Sequence, residues 1–193
     1  MKVIYIHGFN SAGFGEKVNK LKEAFGEENV ISLNLPYDPK KAIALLSYLV
    51  ERLKDDNLYL FGTSLGGFYA MVLASRYKVP AVLINPSINP ALSLKDEVGK
   101  QINYKTDEEY EFTEEHLNTL KELQPSKEDL IKVKDKIFVY LDEDDELLDS
   151  RETADFFEGF YVKMFPGGNH RFQHMNELIE DFRKNILQGG WDG

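Results

Sequence analysis

Gly62-Thr63-Ser64-Leu65-Gly66 sets a hydroxyl between two glycines at the G-x-S-x-G spacing of an activated serine. Three fixed positions recur by chance in roughly one chain in fifteen of this length, so the flanks decide its weight. Upstream, Leu58-Tyr59-Leu60-Phe61 is an apolar run with strand character; downstream, residues 64–77 are good helix formers. A serine on so tight a strand-to-helix turn holds its Oγ clear of the backbone. Side chains at 62 and 66 would collide with the neighbouring strand and helix. Ser64 could instead serve only as a helix N-cap, but capping does not account for Gly62, Gly66 and Gly67 together.

A serine hydroxyl needs a base to take its proton. The chain has four histidines. His170 follows the last apolar run on the glycine-bearing loop 166–169, at the sheet edge where the serine turn should lie. His174 stands four residues on, inside the next helix, and is the weaker candidate. His7 ends the first apolar run and reads as a hydrogen-bonded loop-shaping residue; His116 lies in a polar segment. The third member is a carboxylate that orients the imidazole and supports its cation. It is expected after the strand 136–142, where Asp142-Glu143-Asp144-Asp145-Glu146 and Asp149 cluster. Most of these read as a solvated acidic loop. Asp145, followed by the anchoring pair Leu147 and Leu148, is the first choice and Asp144 the second; Asp149 reads as a helix cap. The order Ser, acid, His fits hydrolases of this type. An oxyanion needs backbone N–H donors: Leu65, directly after the serine, and Phe9 in "HGFN", with Asn10 as the alternative. Gly8 lets that loop approach.

These residues need a scaffold. "KVIYIH" (2–7), "NVISLNL" (29–35), "NLYLFG" (57–62), "PAVLINP" (80–86), "KIFVYLD" (136–142) and "FYVKMF" (160–165) read as six strands. Helical spacing falls between them at 16–25, 64–77, 149–158 and 174–187, and Asp38 and Pro39 open a further helix that carries Ile43, Leu46 and Val50 on one side. The expected fold is α/β: a mainly parallel six-stranded sheet in the order 2-1-3-4-5-6, with helices on both faces. Its active residues should lie beyond the carboxyl ends of the strands. The rhythm breaks at 87–130, a polar insertion with a helix near 113–123, placed to act as a cap. "INPSINP" (84–90) reads as turn chemistry at the pocket edge. The tail 188–193 reads as frayed. One domain is expected over 1–193.

The chain has 193 residues, no cysteine and a formal charge of −10. The acidic balance disfavours nucleic acid and anionic membrane surfaces as partners. The absence of cysteine excludes a disulfide framework, a thiolate metal site and a cysteine nucleophile, and suits a reducing cytoplasm. The first ten residues lack a signal-peptide core, and no apolar stretch has the length of a membrane span. "HGFNSAGFG" is neither G-x-G-x-x-G nor a P-loop. His170 and His174 lack the glutamate of H-E-x-x-H. No metal or other cofactor is expected; a small molecule with an acyl carbonyl is the expected partner. Oligomeric state is not legible.

"YIHGFNS" (5–11), "GTSLGGFYA" (62–70), "INPSINP" (84–90), "DELLD" (145–149) and "GGNHRF" (167–172) together resemble the YqiA-like small bacterial esterases of the α/β-hydrolase superfamily. The matching segments span nearly the whole chain. The resemblance implies a compact hydrolase that lacks the superfamily's usual first two strands and has esterase or thioesterase activity. It implies Ser64, Asp145 and His170 as the triad. Such proteins tend to carry Gly before the catalytic Asp; here that position is Asp144, which keeps Asp144 in play.

Overall fold

Strands that are apolar at nearly every position need a core on each side of the sheet, because successive side chains point to opposite faces. That is the arrangement in the computed structural model, which describes residues 1–189. Residues 190–193 lie outside it, and with them most of the tail read as frayed. Strands β1 (Lys2–Ile6), β2 (Val30–Ser32), β3 (Leu58–Thr63), β4 (Ala81–Ile84), β7 (Ile137–Asp142) and β8 (Tyr161–Phe165) form one sheet in the order β2-β1-β3-β4-β7-β8. Every neighbouring pair is parallel. Taken in their own sequence, these six strands follow the order 2-1-3-4-5-6; the numbering differs because β5 (Gly99–Ile102) and β6 (Glu109–Phe112) lie outside this sheet.

The period-two alternation sorts the strand residues into two cores. Ile4, Ile6, Leu60, Leu83, Val139 and Leu141 face a cluster built with helices α2 (Pro39–Leu53) and α3 (Leu65–Tyr77). Val3, Tyr5, Phe61, Val82, Phe138 and Tyr140 face the opposite cluster, with α1 (Glu16–Phe25) and α8 (Met175–Asp181). Fully burying such a side chain stabilises by about 1.5–3 kcal/mol. Helix α3 is buried at every position from Leu65 to Ala74, so it has no solvent face over its first three turns. Asp38 caps α2 by accepting from the Lys40 N–H at 2.8 Å, with Pro39 at the first turn. Asp149 likewise accepts from Arg151 and Glu152 N–H at the start of α7 (Ser150–Phe156). Helix α8 runs on into a π-helical turn, Phe182–Leu187.

Two expectations need correction. The second strand stops at Ser32 rather than at residue 35. Beyond it the chain bends over the loop after β1: Asn34 Oδ1 accepts from the Gly13 N–H, and Leu35 N–H donates to His7 Nε2 at 2.9 Å. The segment 87–130 also holds more than one helix. It carries α4 (Pro90–Ser93), an antiparallel hairpin of β5 (Gly99–Ile102) and β6 (Glu109–Phe112), α5 (Glu114–Leu123) and the start of α6 (Lys127–Ile131). The hairpin strands are only four residues each; β6 alternates as Glu109-Tyr110-Glu111-Phe112, but β5 has a single apolar side chain, Ile102, so the signal is too short to announce a pair of strands. His116 belongs to the capping box of α5, its Nδ1 accepting from the Thr113 N–H at 3.0 Å.

Candidate active site

Five strand ends converge at the carboxyl edge of the sheet. The β3–α3 turn is the tightest of them. Ser64 takes φ 56° and ψ −117°, a region that residues with a Cβ rarely enter. Its side chain makes no capping bond to α3. The turn closes only without side chains beside it: a Cβ on Gly62 would come within 2.1 Å of the Gly66 carbonyl oxygen, and one on Gly66 within 2.0 Å of the Ile6 carbonyl oxygen. Adjacent backbone then pins Ser64, whose N–H donates to the Ile84 carbonyl at 3.0 Å while its own carbonyl accepts from Ser87 N–H at 3.0 Å.

His170 Nε2 lies 3.0 Å from Ser64 Oγ. His170 Nδ1 lies 3.0 and 2.9 Å from the two oxygens of Asp145. A carboxylate can only accept when ionised, so Nδ1 carries the proton and Nε2 is left as acceptor for the serine hydroxyl. The Asp145 side chain is 2% exposed. Its Oδ1 also accepts from the Leu147 and Leu148 N–H groups at 2.9 Å, so the turn after it fixes its direction. Asp144 is exposed, and its N–H donates to the Gly167 carbonyl. Of the two acids weighed from the sequence, Asp145 is the one at the imidazole.

The loop 166–174 that carries His170 is held from below by two residues for which the sequence reading had no such role. Asn85, at φ 39°, donates through Nδ2 to the Asn169 and His170 carbonyls at 3.0 and 3.2 Å and accepts from Asp142 N–H at 2.9 Å. Asp142 is fully buried and accepts from Asn169 N–H, Gln173 N–H and His174 Nδ1, the last at 2.6 Å. Asp142 is therefore not part of a solvated acidic loop. His174 is not inside the last helix as expected: it lies just before α8, stacked on Phe165, with its ring drawn to the buried Asp142 carboxylate. Gly168, at φ +76°, leaves the space Asp142 needs, since a Cβ there would overlap its Oδ2. Glu146 accepts from the His170 N–H at 2.9 Å, which holds its carboxyl below the usual range. One signal was available: Asp142 ends an otherwise apolar strand, so it must emerge at the functional edge.

The loop after β1 lies against the serine turn. A Cβ built on Gly8 would be 3.3 Å from Ser64 Cβ and 3.9 Å from the Leu65 nitrogen. Leu65 N–H is one of the first-turn donors of α3 that have no intrahelical acceptor. Phe9 is packed edge-on against Phe112 of β6, ring centroids 5.2 Å apart. Asn10, at φ 52°, is committed through its side chain: it accepts from Tyr110 OH at 2.5 Å and donates to Gln101 at 3.0 Å. His7 Nε2 accepts from Leu35 N–H, so its Nδ1 carries the proton and donates to the Gly8 carbonyl at 2.8 Å. Burial lowers the His7 pKa and keeps the ring neutral. Ser64 and His170 open onto a cleft of about 880 Å³ that Phe9, Phe14, Lys17, Tyr104, Lys105 and Arg171 also line. Among the described residues, no group of three or more His, Cys, Asp or Glu side chains is placed to hold a metal ion.

A family model described as an uncharacterised protein family, UPF0227, matches residues 2–184. The chain belongs to the UPF0227 family. Curated relatives include UPF0227 proteins of Pectobacterium carotovorum, 24% identical over 184 residues that cover 92% of this chain and 94% of the relative, and of Klebsiella pneumoniae, 25% identical over the same shares. Among solved structures, Est1E from Butyrivibrio proteoclasticus superposes with a TM-score of 0.69 at 17% identity, covering 96% of this chain and 86% of that one. A monoacylglycerol lipase from Paleococcus ferrophilus gives 0.68 at 14%, covering 93% and 91%. At such identities the likeness speaks for the fold, which is the α/β-hydrolase fold. Among the described residues no helix is long and apolar enough to cross a membrane.

Proposed function

We propose that this protein is a serine hydrolase that cleaves small acyl esters or thioesters through Ser64, His170 and Asp145. The observation that carries the reading is the relay from a hydroxyl on a positive-φ turn to an imidazole at 3.0 Å and on to a buried carboxylate at 2.9 Å. Fold-level likeness to a Pyrococcus furiosus esterase and to a monoacylglycerol lipase agrees with it by analogy.

In this reading Ser64 Oγ forms a bond to the acyl carbon as its proton passes to His170 Nε2. The carbonyl π pair moves onto oxygen, where the Phe9 and Leu65 N–H groups receive the negative charge. That pair returns as the bond to the leaving group breaks, and His170 gives its proton to the departing oxygen or sulfur. Water then attacks the acyl-enzyme, His170 again taking a proton, and the acid leaves as Ser64 recovers its hydrogen. Asp145 keeps Nδ1 protonated and steadies the imidazolium throughout. The chain's lack of cysteine is in keeping with a cytoplasmic site of action.

The test is labelling with a fluorophosphonate probe alongside hydrolysis of p-nitrophenyl butyrate. Wild-type protein should be labelled on Ser64 and turn over the ester, and Ser64→Ala should do neither. An unlabelled, inactive wild type would instead mark a binding protein built on a hydrolase fold.

A further inference from the structure

Three cations meet in the cleft in front of Ser64. Lys17 comes from the first turn of α1, Lys105 from the turn between β5 and β6, and Arg171 directly follows His170; all three line the same wall system as Ser64 and His170. Lys105 Nζ sits 5.7 Å from the Phe14 ring centroid and would be 3.3 Å from a Cβ on Gly15, so the hairpin turn leans onto the start of α1. Lys17 is half-buried. Desolvation is the first cause that lowers its pKa; attraction by its neighbour Glu16 opposes this, and repulsion by Lys105 and Arg171 adds to it. Lys105 and Arg171 are thus both near enough to act on Lys17.

Carboxylates to neutralise them would be easy to supply, since Asp and Glu outnumber Lys and Arg by 33 to 23. Yet among the described residues none of the three has an ion-pair partner. Glu16 is paired with Lys20 at 3.0 Å, and Asp142 is committed to His174 and the loop amides. Like charges gathered on a partly desolvated wall raise its free energy, and an entering anion relieves that. Phe14 and Tyr104, both exposed at the same cleft, give the carbon skeleton of such a ligand an apolar surface.

We propose that this cleft selects acyl substrates bearing a fixed negative charge, a carboxylate or phosphate group, which Lys17, Lys105 and Arg171 hold while the acyl carbon meets Ser64. The proposal rests on the serine-hydrolase reading.

Two matched pairs of esters test it and separate the sources of charge. Mono-p-nitrophenyl glutarate against p-nitrophenyl butyrate reads a carboxylate; butyryloxyethyl phosphate against butyryloxyethanol, followed by butyrate release, reads a phosphate. The quantity is the ratio of kcat/KM, charged over neutral. It should reach about tenfold or more in at least one pair, which names the source. It should shrink as salt rises, because the cations are in contact with solvent. Lys17→Gln and Lys105→Glu should each cut it about threefold to tenfold, mainly through KM for the charged ester. Lys105 stands exposed on a hairpin turn, so that variant reports even if Lys17→Gln misfolds. Ratios of one or below in both pairs, with Ser64 labelled by fluorophosphonate, would overturn the anion proposal and leave the hydrolase reading standing. So would a ratio that Lys105→Glu does not move. No turnover of any ester with Ser64 unlabelled would remove both.

Discussion

Asp144 and Asp145 are neighbours of the same type, and their surroundings separate them. The Asp145 carboxylate is buried against two backbone N–H groups and the His170 ring, whereas Asp144 faces solvent. Asp145→Ala should lower kcat by about 10²–10⁴-fold, since the imidazole loses both its tautomer and its orientation. Asp144→Ala should stay within about twofold, because it removes nothing the imidazole touches. Steady-state kinetics on p-nitrophenyl butyrate separates the two; equal losses would show that Asp145 does not hold His170. His7 makes a second residue-level case. Its folded pKa lies below the ordinary value near 6.5, because burial opposes the charged form. As pH falls below about 6.5 the unfolded chain takes up a proton that the folded one refuses. The stability His7 contributes is therefore present above that pH and lost as pH falls toward its folded pKa, by at most about 1.4 kcal/mol per pH unit. His7→Gln should flatten the stability profile between about pH 7 and pH 5 relative to wild type in urea titrations; parallel profiles would sink this account.

At the scale of elements, His170, the proposed base, is positioned by strand ends outside the proposed triad. Asn85 closes β4 and Asp142 closes β7, and between them they grip both sides of the 166–174 loop. Asn85→Asp keeps the shape and the acceptor for Asp142 N–H but loses the two donors to the Asn169 and His170 carbonyls. It should cost about 1–3 kcal/mol of stability. It should also lower kcat by up to about 100-fold with a smaller change in KM, since the imidazole drifts from the hydroxyl. Denaturation together with kinetics checks this; a stability loss with kcat unchanged would mean that Asn85 supports the fold without aiming the base.

Across the whole molecule, the segment between β4 and β7 couples a peripheral hairpin to the loop after β1, the proposed source of an oxyanion donor. Phe112 packs against Phe9, Tyr110 and Gln101 bind the Asn10 side chain, and Asn103 donates to the Ser11 carbonyl. Gly99 and Phe112 face each other in the hairpin register, so joining them directly removes residues 100–111 without stretching the chain. That deletion should leave the six-stranded sheet folded, as read by circular dichroism. It should reduce p-nitrophenyl butyrate hydrolysis by about tenfold or more as Asn10 and Ser11 lose the partners that hold the loop after β1. Full activity after the deletion would show that the hairpin does not organise the loop.

Much of this protein follows from local pattern. Two-faced apolar runs at 2–6, 58–61, 81–84 and 137–141 require a sandwiched parallel sheet, and the helical spacing between them supplies both covers. Gly62 and Gly66 around Ser64 announce the turn because its collisions involve only backbone nearby in sequence or paired with it. His170 stands out because it directly follows Gly167-Gly168-Asn169 after the last strand, four residues ahead of His174. What depended on distant contacts was not legible. The choice of Asp145 over Asp144 turns on which carboxylate the folded turn aims at a ring 25 residues away. The roles of Asn85 and Asp142 arise where β4 and β7 become neighbours in the sheet. The hairpin 99–112 has short strands that form through pairing and through contacts to residues 9–11. The cation cluster joins residues 17, 105 and 171, whose charges are ordinary in sequence and acquire meaning only where three loops meet. Periodicity records which face of an element is buried. Only the closed tertiary structure sets which side chains from separate elements share one edge, because that placement is the summed outcome of packing across the whole sheet.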